Sequence, residues 1–195
     1  MPQHIMIVDN GSLSTDVLAQ RLEGLGAETT IVSLGELYPG ILDEGGYDGV
    51  VLTGTDVPST TPYVYDAELE LIRAAEVPLL GICGGMHLIG KAHGVGIGDC
   101  KHAVGKTPVH MDGEELLFED LESPALLFER HRYQLMDVPE GFKRIAWGDD
   151  CHTEGIRHAE RPTYGLQAHV EFRPEGKVIL RNFLSLLTLD SAVTA

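Results

Sequence analysis

Apolar residues in this chain come first in short, nearly unbroken runs and only later in alternation with polar ones. HIMIVDNG, at 4–11, is such a run closed by Asp-Asn-Gly, the pattern of a buried strand stopped by a turn. STDVLAQRLEGLGA follows, with Val17, Leu18, Arg21, Leu22 and Leu25 at helical spacing between a Ser/Thr/Asp start and a glycine stop. ETTIVSL then reads as a strand, so the order is strand, helix, strand, with connections too long for a hairpin. YDGVVLTGT predicts a third strand, TPYVYDAELELIRAAE a helix with acidic residues early, and VPLLGIC a fourth strand. Beyond residue 100 the segments shorten: KTPVHM, ELLF, ALLFERHRYQL and KRIAWG are separated by Gly, Pro and Asp and predict antiparallel or mixed pairing. YGLQAHVEF predicts a last strand, and GKVILRNFLSLL a closing amphipathic helix. The pattern predicts one α/β domain over 1–190, with 191–195 as a frayed tail.

Composition narrows the function classes. A chain of 195 residues, 43% hydrophobic, can bury one substantial core. Its net charge of −16, from 30 acidic against 14 basic residues, leaves no basic stripe to displace counterions from a phosphate backbone, so nucleic acid is not expected as a partner. The same acidity suits solubility, or a cytosol of high salt in which repulsion is screened. No stretch approaches the roughly 18 apolar residues of a membrane helix, and the start lacks a basic segment followed by an apolar one. Cys83, Cys100 and Cys151 are odd in number and widely spaced, which suggests neither a disulfide framework nor a zinc ribbon. These features point to a reducing, cytoplasmic setting. The pairs His102 with His110 and His152 with His158 match neither a helix-borne zinc motif nor a finger, and no metal is expected.

The candidate chemistry lies in PLLGICGGMHLIG, at 78–90, which sets a thiol between glycines where a strand should turn into a helix. In an open parallel sheet such a turn stands at the carboxyl edge, where ligands bind. A thiol there gains from the backbone N–H groups of the following helix, and Gly81, Gly84 and Gly85 leave room for substrate. The alternative is that Cys83 is a small buried hydrophobe. A thiol nucleophile needs a base and the base an orienting acid. His169 and Glu171, two residues apart in YGLQAHVEF, would share one face of a strand.

GICGGMHL resembles the G-x-C-x-G-x-Q nucleophile motif of class I glutamine amidotransferases, and YGLQAHVEF resembles their YGVQFHPE segment, in the same order. IVDNGS is similar to the opening strand of GMP synthase glutaminase domains, VVLTGT stands at their Ser-Gly-Gly loop, VGKTPV is similar to their YGKT stretch, and PEGFKRIAWGDDCHTEGIRH and ILRNFL resemble their last third. The resemblance implies a three-layer, flavodoxin-like fold with a mostly parallel central sheet and a smaller antiparallel or mixed one. It also implies hydrolysis of L-glutamine through a Cys83 thioester, with His169 as base, Glu171 as its orienting acid, and backbone N–H groups of Gly54 and Gly84 holding the oxyanion. No cofactor is implied. The 195 residues contain no P-loop and no SGGxDS-like motif, so the implied ammonia acceptor is an ATP-using synthetase on a separate chain.

The chain departs from the pattern in four places. Thr55, Asp56 and Val57 stand where Gly-Gly-Pro is usual, His87 replaces the motif's glutamine near the expected substrate, Val170 replaces a proline, and Arg130, His131, Arg132 and Tyr133 replace Ser-His-Gly-Asp. ERHRYQL instead resembles the corresponding CTP synthase segment. Two alternatives follow: a stand-alone hydrolase of another γ-glutamyl amide, with Arg130 and Arg132 as carboxylate grips, or a partner-binding relative without turnover.

Overall fold

Strands that read as unbroken apolar runs are covered on both faces. In this computed structural model, which describes the backbone of residues 1–193 and side chains through Thr188, β1 (His4–Asp9), β3 (Gly49–Leu52) and β4 (Leu79–Ile82) lie in the middle of the sheet and are almost wholly buried. Such burial is what an all-apolar parallel strand requires. With β2 (Glu28–Ser33) at the edge and β9 (Thr163–Leu166) beside β4, they form a parallel block in the order β2-β1-β3-β4-β9. The sheet continues antiparallel through β8 (Gly155–His158), β7 (Phe142–Trp147), β5 (Ile97–Met111) and β6 (Ala125–Leu135).

Alternation along each central strand divides the core in two. Ile5, Ile7, Val51, Leu80 and Ile82 face Leu18 and Leu22 of α1 (Thr15–Glu23) and Ile179, Leu180 and Phe183 of α5 (Arg173–Val193). Met6, Val8, Val50, Leu52 and Leu79 face the other way, onto Leu69 and Ile72 of α3 (Asp66–Ala74) and Met86, Leu88 and Ile89 of α4 (Gly84–Ala92). Ile41 of the short α2 (Ile41–Gly45) joins that second layer. The result is the three-layer α/β arrangement expected from the sequence.

Three local expectations need adjustment. KTPVHM is the end of one 15-residue strand, β5, whose Gly98, Gly105 and Pro108 made it look broken; a register shift between Asp99 and Ala103 absorbs the irregularity. ELLF is a single 3₁₀ turn, Leu116–Phe118, closed by Phe118 N–H donating to the Glu115 carbonyl at 2.9 Å, with Leu117 and Phe118 both buried. The last strand ends at Leu166, short of the AHVEF segment. Helix α5 runs to Val193, and the rest of the 191–195 segment lies outside the described residues. Among the described residues, no helix is long and apolar enough to cross a membrane.

Candidate active site

β4 passes into α4 through a single residue, Cys83, held at φ 51 and ψ −106. A side chain at positive φ is strained, and the strain persists only where surroundings fix it. Here the Cys83 amide donates to the Leu166 carbonyl at 2.7 Å, tying the turn to β9. The flanking glycines are required by close approach. A Cβ on Gly85 would lie 2.6 Å from the Leu52 carbonyl oxygen, and one on Gly84 2.5 Å from the Thr55 side chain. The thiol therefore stands at the carboxyl edge of the sheet, at the N-terminus of α4, with the Gly54–Thr55 loop pressed against it.

His169 and Glu171 arrive from the turn after β9. The His169 amide donates to the Phe128 carbonyl at 2.8 Å, so β6 positions the residue, and Phe128 and Phe172 set their rings about the imidazole. Nδ1–H donates to Glu171 Oε1 at 2.8 Å, which leaves Nε2 as the nitrogen for the Cys83 thiol. Burial opposes a charge on His169, but its hydrogen bonds to Cys83 and Glu171, with their charges, outweigh that and push it up to about 10. Glu171 is 2% exposed and takes a further hydrogen bond from the Ser14 hydroxyl, while Arg21 Nε donates to its backbone carbonyl at 3.3 Å. Thiol, imidazole and carboxylate are thus linked in a line, the arrangement that lets an imidazole take a thiol proton and keep the right tautomer.

A cavity of about 320 Å³ opens over this line, bounded by Gly11 to Ser14, Gly54 to Asp56, Cys83, Phe128, Arg130, His169 and Phe172. A larger cavity, about 500 Å³, lies between the 37–43 segment and α3 and contains none of these groups. Of the residues named from sequence, Gly54, Thr55, Asp56, Cys83, Arg130 and His169 line the reactive cavity. Glu171 and Gly84 adjoin the cavity through His169 and Cys83; the rest sit elsewhere. Alternation along β6 turns Glu129 and His131 inward and Arg130 and Arg132 outward; Arg132 stacks over the Tyr133 ring, 3.9 Å from Asp99. His87, expected beside the substrate, is buried behind Cys83, because the helical turn carries it below the cavity.

Sequence reasoning missed the supports. Ser14 lies far from Glu171 in the chain, and only the packing of α1 on α5 unites them. Asn10 takes its backbone hydrogen bond from Asp56 N–H and donates to the Thr53 carbonyl, so the Asp-Asn-Gly turn after β1 holds the 53–56 loop. That tripeptide was visible as a turn, but its partner was not.

A family model described as glutamine amidotransferase class-I matches residues 6–186. This chain belongs to the class I glutamine amidotransferases. Among relatives, it is 30% identical over 184 residues to the glutamine-hydrolyzing GMP synthase subunit of Methanocaldococcus jannaschii, covering 92% of this chain and 95% of that one. It is 32% identical over 192 residues to the protein of the same name in Thermoplasma acidophilum, covering 93% and 92%. A crystal structure of a GMP synthase subunit from Thermoplasma acidophilum superposes with a TM-score of 0.89 at 28% identity, covering 100% of this chain and 98% of that one.

This amidotransferase also carries a buried polar trio outside the cavity. Glu129, His131 and Glu154 bring ligand-type atoms within 4.8 Å of one another. Burial first, then the charge of Glu129 and a hydrogen bond with it, push Glu154 up to about 9.

Proposed function

We propose that this chain is the glutaminase subunit of a two-chain GMP synthase. It would hydrolyse L-glutamine to glutamate and ammonia and pass the ammonia to a separate ATP-using synthetase chain. The observation that carries the reading is the linked row Cys83, His169, Glu171 at a strained strand-to-helix turn, with a cavity over it. Similarity to free-standing glutamine-hydrolyzing GMP synthase subunits over nearly their whole length supports the two-chain arrangement.

In the first half-reaction the Cys83 sulfur attacks the carboxamide carbon as a thiolate, beside a His169 that already holds the proton. The carbon–nitrogen bond breaks as His169 gives that proton to the departing nitrogen, leaving ammonia and a γ-glutamyl thioester. In the second, His169 takes a proton from water, hydroxide adds to the thioester carbon, and the carbon–sulfur bond breaks to release glutamate and the Cys83 thiolate, with the proton kept on His169 as at the start. Glu171, fixed by Ser14, keeps the imidazole oriented and stabilises its cation. Backbone N–H groups of Gly84 and Gly54 serve the oxyanion, each such donor being worth about 3 kcal/mol of barrier. A free amino acid carries an α-carboxylate and an α-ammonium, and the cavity wall offers Arg130 and Asp56, one charge of each sign. Asp56, a departure from the usual glycine, then has a use. A reducing cytoplasm suits the free thiol.

The test titrates the purified chain with the ATP-using chain of a GMP synthase and follows glutamate formation. A two-chain enzyme shows slow turnover alone and strong stimulation by the partner, because closure completes such sites. Rapid turnover that the partner leaves unchanged would instead identify a stand-alone hydrolase.

A further inference from the structure

Beneath Cys83 a row of buried polar side chains leads away from the cavity, and the hydrolysis just described makes no use of it. Ser59, His87 and Gln167 are 1%, 3% and 0% exposed. Gln167 Nε2 lies 3.6 Å from Cys83 Sγ, Gln167 Oε1 2.9 Å from His87 Nε2, and His87 Nδ1 3.2 Å from Ser59 Oγ. The positions of the protons follow by elimination. A thiolate only accepts, so the amide nitrogen of Gln167 faces it and the amide oxygen faces His87. His87 Nε2 must then carry a hydrogen; the Tyr133 carbonyl also accepts from this imidazole, and in the neutral ring Nδ1 is bare and accepts from the Ser59 hydroxyl. A neutral imidazole meets this requirement, and burial, more than any other influence, lowers His87 to about 4. The row ends on fixed backbone at both sides: Gln167 N–H donates to the Glu154 carbonyl at 2.8 Å, and Lys91 Nζ donates to the Ser59 carbonyl at 3.0 Å.

We propose that His87 is a positioning residue for the nucleophile: it holds the Gln167 amide with its N–H aimed at the Cys83 sulfur, so that the thiolate is stabilised before attack and again as the thioester is cleaved. The proposal rests on Cys83 being the nucleophile but not on glutamine being the substrate. A rotated Gln167 amide would present its oxygen to the sulfur, an acceptor facing an acceptor, and His87 Nε2–H is the group that forbids that rotation. Glutamine at position 87 has an amide N–H able to donate to Gln167 in the same way, whereas leucine has none.

The experiment measures the rate of Cys83 alkylation by iodoacetamide at pH 7.5, beside kcat and KM for glutamine, in the full chain and in His87→Leu, His87→Gln and Ser59→Ala. Alkylation needs no glutamine, so a chain with a different substrate would still report on His87. His87→Leu is expected to lower both the alkylation rate and kcat about 10-fold, the worth of one hydrogen bond to a charged sulfur, with KM unchanged because His87 does not line the cavity. His87→Gln should restore both to within about 3-fold, and Ser59→Ala should fall between, since it only loosens the tautomer. Wild-type alkylation in His87→Leu, or a His87→Gln variant that melts like wild type yet is as slow as the leucine variant, would overturn the proposal. Should His87→Leu fail to fold, the order wild type, His87→Gln, Ser59→Ala decides it: an alkylation rate in Ser59→Ala equal to wild type counts against it.

Discussion

At the scale of single residues, the site is a set of fixed protons. Glu171 accepts from both His169 and Ser14, so one carboxylate oxygen sets the imidazole's tautomer. Glu171→Gln is expected to lower kcat by about 10³-fold or more, as loss of the orienting carboxylate does in other triads. Ser14→Ala should cost about 10-fold, and steady-state glutaminase kinetics check both. His169 also links pH to stability. Held up near 10 against an ordinary value of 6.5, it binds a proton in the folded chain that the unfolded chain has released. Its contribution is complete below pH 6.5 and is lost as pH rises toward 10. Urea midpoints of wild type should therefore fall between those limits, and His169→Asn should remove that part of the fall. Cys83, His169 and Glu171 were singled out in the sequence by the likeness of GICGGMHL and YGLQAHVEF to amidotransferase motifs, since a thiol among glycines and a His-x-Glu after a strand are local patterns with bland readings of their own. Ser14, Phe128 and Gln167 could not be, because their importance lies only in what they touch across the fold. His87 stood out as a departure, yet its place behind the cavity needed the structure.

At the scale of elements, patterns that carry one period over a whole segment were legible. The buried strands β1, β3 and β4 and the helices α1 and α3 follow from such patterns, as does the alternation of β6. The β5–β6 hairpin was not read as one unit, since Gly98, Gly105 and Pro108 interrupt its period while the partner strand supplies the missing order. Two packing sites carry predictions. Gly85 meets the Leu52 carbonyl so closely that Gly85→Ala should destabilise the chain by about 2 kcal/mol, as overpacking does, and should also move Cys83. Glu68 of α3 is fully buried beside Asn10, and burial pushes it up to about 8 from 4.5. The folded chain keeps a proton there that the unfolded chain releases, so this group's effect on stability worsens as pH rises from 4.5 to 8. Glu68→Gln, which still accepts from Asn10, should raise the urea midpoint at pH 8 and change it little near pH 4.5.

At the scale of the molecule, a charge of −16 bears on the conditions under which this fold stands. Self-repulsion weakens a compact state and salt screens it. The melting temperature should rise on going from dilute buffer to molar KCl, and an unchanged value would mean that the acidic residues are already balanced locally. The charge also leaves a cationic group on the cavity wall, Arg130, conspicuous against an acidic surface. Arg130→Met should raise KM for glutamine about 10-fold or more while sparing kcat. The central claim is that Cys83 opens the carboxamide of glutamine, and the measurement that tests it most directly is ammonia release from L-glutamine by wild type and by Cys83→Ala, with and without the synthetase chain. Release by wild type and none by the variant is the result predicted. Equal release by both, or none by wild type in either condition, would contradict it.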